Sequence, residues 1–153
     1  MKNRVALTLA KRVNFLLWNY LKKQVFTEEF YQNIGMLFYA IAASDKVVQA
    51  EEIKTLNNLV QKKWVPIDNK TDEYGTDEAY KIEMIFDWLE ENSPEATWAF
   101  KEFRQYKKEN EGLFTLPIKQ LIWETADAIA ASFAGKNKSE LIMLSKLKML
   151  LSK

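Results

Sequence analysis

Residues Phe30 to Lys63 read FYQNIGMLFYAIAASDKVVQAEEIKTLNNLVQKK. Phe30, Ile34, Leu37, Phe38 and Ile41 recur at three- and four-residue steps, the period of an amphipathic helix. Thr27 stands ahead of them as a capping hydroxyl, and Glu28 and Glu29 suit the positive end of the helix dipole. The run stops near Ser44. After a short polar turn the period resumes with Ile53, Leu56, Leu59 and Val60 and ends near Lys63, so the stretch predicts a helix pair.

The pair is written twice. Ala40 to Ser44 reads AIAAS, and Ala128 to Ser132, 88 positions later, reads AIAAS again. At the same offset Ile34 falls on Ile122, Glu52 on Glu140, Ile53 on Leu141, Leu56 on Leu144 and Leu59 on Leu147. An internal duplication packed about a pseudo-twofold explains the match; coincidence in an alanine-rich helix is the competing reading. Ala42, Ala43, Ala130 and Ala131 are expected to let helix backbones approach closely, one tight crossing per copy.

Outward from the pair the helical period continues. Val5, Leu9, Val13, Leu16, Leu17, Tyr20 and Leu21 form a stripe over Asn3 to Gln24. Trp64 to Gly75, with Pro66, Asp68, Asn69 and Gly75, reads as the one substantial loop. Thr76 is expected to cap a helix containing Ile82, Ile85, Phe86 and Leu89. Ser93-Pro94-Glu95 is a start signal for a helix with Trp98, Phe103 and Tyr106 that ends around Asn110 to Gly112. Further helices follow over Leu116 to Ala134 and Lys138 to Leu151. The prediction is an all-α fold: one domain over residues 1–153, a compact bundle of about seven helices, with repeat copies at about 27–63 and 115–152.

Composition agrees and excludes much chemistry. A chain of 153 residues can bury about 70% of its unfolded surface, so it folds without disulfide or metal. With 4 Gly and 3 Pro it lacks the turn residues of an all-β fold. No Cys excludes thiol nucleophiles, disulfides and zinc knuckles; no His excludes a Ser-His-Asp triad and an HExxH helix. Isolated glycines at 35, 75, 112 and 135 exclude a phosphate loop. No enzyme is expected. Any metal site must be all oxygen, which means calcium, magnesium or manganese.

Net charge is +1, unevenly placed. Lys2, Arg4, Lys11, Arg12, Lys22 and Lys23 make the first 27 residues wholly basic, whereas Asp68 to Glu95 is acidic. A basic end helix can dock an anionic membrane or a partner; equally, ends and middle can attract each other within the fold. Lys22-Lys23 and Lys107-Lys108 are too short for specific nucleic-acid binding, and the aromatics follow core spacing. No stretch reaches the ~20 apolar residues of a membrane span, and the N-terminus does not read as a signal peptide, so a cytoplasmic, membrane-peripheral location is expected.

The turn between the first pair of helices carries a resemblance. A helix ends in small residues, Asp45 follows, then a spacer with β-branched Val47 and Val48, then Glu52 seven positions after the Asp. This pattern, over Ile34 to Lys63, resembles the TerB-like family, which includes tellurite-resistance proteins and the N-terminal domain of a membrane-anchored DnaJ-type co-chaperone. The family usually has Gly after the Asp, where Lys46 stands here, which puts the turn's backbone geometry in question. The resemblance implies a helical bundle with a pseudo-repeat, no defined enzymatic activity, and a stress-response role near the inner membrane through protein partners and divalent cations. Carried onto this chain, its acidic pair is Asp45 and Glu52, with Glu51 beside them: a weak site for Ca, Mg or Mn, or for a partner. The same acids have a mechanical reading. Asn137-Lys138-Ser139-Glu140 has the form of a capping box, Gln49 and Glu52 occupy the same places in the first copy, and Asp45 can accept turn amides.

Overall fold

The computed structural model describes residues 26–67 and 77–153. Its centre is α1 (Glu28–Ala42), capped by Thr27, whose Oγ1 accepts a hydrogen bond from Phe30 N at 3.2 Å. Every residue from Leu37 to Ala42 is buried, as expected of a helix enclosed by others. α3 (Lys81–Asn92) and α4 (Ala96–Glu109) make the most extensive contacts with it, and α5 (Leu116–Ala131) and α6 (Lys138–Leu151) pack against it too. α2 (Ala50–Leu59) lies on α5. The result is an all-α bundle, with six α-helices among the described residues. The helix expected over Asn3 to Gln24 and the Thr76 cap lie outside them. No described helix is long and apolar enough to cross a membrane.

An aromatic cluster closes one end of the core. The Phe114 ring centroid lies 5.9 Å from that of Phe30, 5.8 Å from Phe103 and 6.3 Å from Tyr106, each at a tilted or edge-on angle that suits the ring quadrupoles. Lys107 is fully buried beside it, its ammonium 5.7 Å from the Phe114 centroid and 2.9 Å from the Glu111 carboxylate.

The structure corrects three local expectations. Trp64 does not open a loop. The helix continues through a π-turn at Val60–Trp64, closed by Val65 N donating to Val60 O, and a 3₁₀ turn at Val65–Ile67. The wider turn brings Trp64 into the core, where its ring meets Phe38 edge-on at 5.9 Å and its Nε1 donates to Thr125 Oγ1 at 3.1 Å. Thr125 in turn donates to Leu121 O, so the buried polar pair is satisfied. Ser93 does not cap α4. It ends α3 in a left-handed conformation (φ 49°), and its hydroxyl donates backward to Glu90 O, leaving Glu95 at the cap of α4.

The third correction concerns the tight crossing. Ala42, Ala43 and Ala130 are buried, but Ala131 is exposed. A close approach is made at Gly35, where an added Cβ would collide with the Ile85 side chain and sit 2.7 Å from Ile82 O on α3. Trp123 holds the same register in the second copy, so this approach exists only in the first.

The pseudo-repeat is written into the backbone as well as the sequence. Ser44 Oγ donates to Ile41 O at 2.8 Å, and Ser132 Oγ donates to Ile129 O at 2.7 Å. Lys46 and Ala134, again 88 apart, both take positive φ, 71° and 51°. Glu52 and Glu140 each accept from the backbone N–H three residues earlier. Ile34 and Ile122, Ile41 and Ile129, Leu56 and Leu144 are buried in pairs. Matching caps, turns and core positions leave coincidence without support.

Candidate functional site: two joined turns

Each helix pair needs a turn that closes one helix and starts the next, and the fold brings these two turns together. In the first, Lys46 N donates to Ala43 O at 2.9 Å. Lys46 occupies the left-handed region that glycine enters without steric penalty, with φ 71°. Asp45, exposed at the tip, accepts Val47 N on Oδ1 at 3.0 Å, a local turn that fixes its side chain. Its Oδ2 accepts Asn137 Nδ2 of the second turn at 2.7 Å. This bond spans 92 residues and ties one repeat to the other.

Behind it sit the two capping glutamates. In the second turn the box is reciprocal: Asn137 Oδ1 accepts Glu140 N at 2.8 Å, and Glu140 Oε1 accepts Asn137 N at 3.2 Å. In the first, Glu52 Oε1 accepts Gln49 N at 2.8 Å. Both glutamates are 4% exposed. Glu52 Oε2 is buried without a hydrogen-bond partner among the described residues.

Burial therefore acts on both carboxyls. Desolvation pushes Glu52 up to about 7; the bond from Gln49 opposes the rise, and the charges of Glu140, Asp45 and Glu51 add to it. Glu140 is raised for the same first reason, opposed by its bond from Asn137 and pushed further by Asp45.

Of the three acids expected at the site, Asp45 and Glu52 come together at the junction. Glu51 is exposed and acts on Glu52 only through its charge. Glu140 and Asn137 complete the site. In the sequence the two have the form of a cap alone, although their register against Glu52 and Gln49 is the signal that places them there. As a cation site the arrangement is poor: Asp45 has both oxygens engaged, Glu52 holds its proton to about pH 7, and no group of three or more acids among the described residues is arranged to hold a metal ion. What the junction offers is one buried carboxylate oxygen without a hydrogen-bond partner and an exposed Asp in front of it, an acceptor for an N–H donor or a proton. The basic segment Lys2 to Lys23, read as a membrane- or partner-docking helix, lies outside the described residues. No family model, curated protein or solved structure matches the chain.

Proposed function

We propose that the chain is a non-enzymatic interaction domain of TerB-like character, whose joined turns receive a cationic group of a protein partner. The observation that carries this reading is the Glu52 carboxyl, buried with Oε2 unpartnered beside Asp45. A buried acceptor without a donor is costly, and a guanidinium or ammonium reaching the junction would relieve that cost while drawing Glu52 into its ionised form. The first turn supports the TerB-like reading, because Asp45 and Glu52 stand in the order of the family pattern; the second turn keeps Glu140 but has Phe133 in place of the Asp. The non-enzymatic reading draws on composition: the chain has no His and no Cys to act as general base or nucleophile beside these acids. The role that goes with this reading is stress response through protein contacts at or near the inner membrane.

A thermal melt in EDTA tests it, with an arginine-rich peptide or with calcium, magnesium or manganese added, on the native chain and on Asp45→Asn. Binding to the folded state alone at a hundredfold excess over Kd adds about 2.7 kcal/mol. A rise in midpoint with the peptide, lost in Asp45→Asn, is expected. A rise with a metal, lost in the same variant, would assign the turn to a divalent cation instead. No rise with either, and an equal loss of stability under all conditions, would leave the junction a structural clasp.

A further inference from the structure

A second surface, opposite in charge, is lined by residues other than those of the acidic junction. α4 and α6 both pack against α1, and the space left between them is a groove of about 660 Å³. Its walls follow helical spacing: Thr97, Lys101 and Arg104 line up along α4, and Met143, Lys146 and Leu150 along α6. From Met143 to Leu150 along α6 the groove runs about 10 Å, at 1.5 Å rise per residue, room for roughly two turns of a helix.

The floor is apolar. Phe100 and Met143 are buried in it, while Trp98 is 42% and Met149 67% exposed. A large aromatic anchor beside flexible thioethers is the composition of surfaces that accept apolar side chains from a partner. The rim is basic. Lys101, Arg104 and Lys146 flank the floor, none of them makes an ion pair among the described residues, and Glu95 is the one acid lining the groove.

We propose that the α4–α6 groove docks an acidic amphipathic helix of a protein partner. Apolar residues at i, i+3 or i+4, and i+7 would fill the floor over Trp98 and Met149, and carboxylates on its flanks would meet Lys101, Arg104 and Lys146. A flat anionic bilayer meets the cations but leaves a concave apolar floor unfilled; a nucleic acid offers phosphates to the rim but has no aliphatic groups for Met143 and Met149. The helix satisfies floor and rim together. This surface shares no residue with the joined turns, although Glu95, Thr97 and Met143 also line a second cavity that reaches Ser44, Lys46 and Val47 of the first turn.

The test uses a fluorescently labelled 12-residue helical peptide with leucines at those spacings and glutamates on both flanks, a control with lysines replacing the glutamates, and the full chain with both Lys101→Glu and Lys146→Glu. Both positions are exposed, and a melt of the double variant confirms that it folds. The acidic peptide is expected to bind, to weaken as salt is raised, and to lose at least about tenfold in affinity with the control sequence or the double variant. Asp45→Asn leaves this binding unchanged, which separates failure at the groove from failure at the turns. The proposal is overturned by no binding up to the order of 1 mM, by equal binding to the double variant, or by anionic vesicles or single-stranded DNA displacing the peptide. It is overturned too if the chain self-associates and the double variant abolishes that association, because the occupant is then a second copy.

Discussion

Glu52 shows how one capping residue acquires a second property. At the third position of a helix it has a reason to be glutamate, the backbone N–H of Gln49, but the fold then buries it against Glu140 and Asp45. The consequence for stability has a definite sign. The folded value, about 7, lies above the ordinary 4.5, so as pH rises through this interval the unfolded chain gives up its proton while the folded chain keeps it. Stability contributed at this position is therefore full below pH 4.5, declines up to about 7 and is level above. Glu52→Gln keeps an acceptor for Gln49 and removes the charge. Relative to the native chain it should gain about 1 to 3 kcal/mol between pH 4.5 and 8, measured by denaturant unfolding across that range. A difference that does not change with pH would contradict the burial of the acid. Lys107 is the contrasting case: it is also buried, but Glu111 and the Phe114 ring receive its ammonium, so it needs nothing further.

At the scale of the helices, α1 is held by what it lets close to it. Gly35 allows α3 to approach until Ile82 and Ile85 sit where a Cβ would be. Gly35→Ala should favour the isolated helix by roughly 1 kcal/mol, yet destabilise the protein by about 1 to 3 kcal/mol or more through overpacking; a thermal melt reads the sign, and a stabilised variant would mean that the crossing is looser than described. The elements themselves were legible because their signals are local: Thr27 caps as its hydroxyl predicts, Asn137 and Glu140 form their box, and the period of Leu56 and Leu144 marks buried faces. What was not legible depends on contacts distant in sequence. Trp64 follows breaker residues into an apparent loop, and only the core around Phe38 and Thr125 explains why the helix widens into a π-turn to carry it inward. Ser93 has the chemistry of a cap for either neighbour, and its hydroxyl's choice of Glu90 O decides between them.

Across the whole molecule, the repeat explains why two acids 88 residues apart come to share one environment. The copies of AIAAS showed that a helix pair recurs, and the register predicted which residues correspond; how the copies meet was not readable, because Asn137 looked fully employed as a cap. In the fold its Oδ1 serves the cap and its Nδ2 reaches Asp45, so one side chain does both. The acidic junction, where the two repeats meet, and the basic groove, between α4 outside the repeats and α6 of the second copy, then give the bundle two surfaces of opposite charge on one scaffold. The most direct test of this arrangement is the titration of the Glu52 carboxyl carbon by NMR in the native chain and in Glu140→Gln. The structure predicts a midpoint near 7, raised first by burial, that falls when the Glu140 charge is removed; a midpoint near 4.5 in both proteins would mean that Glu52 is not buried at the junction.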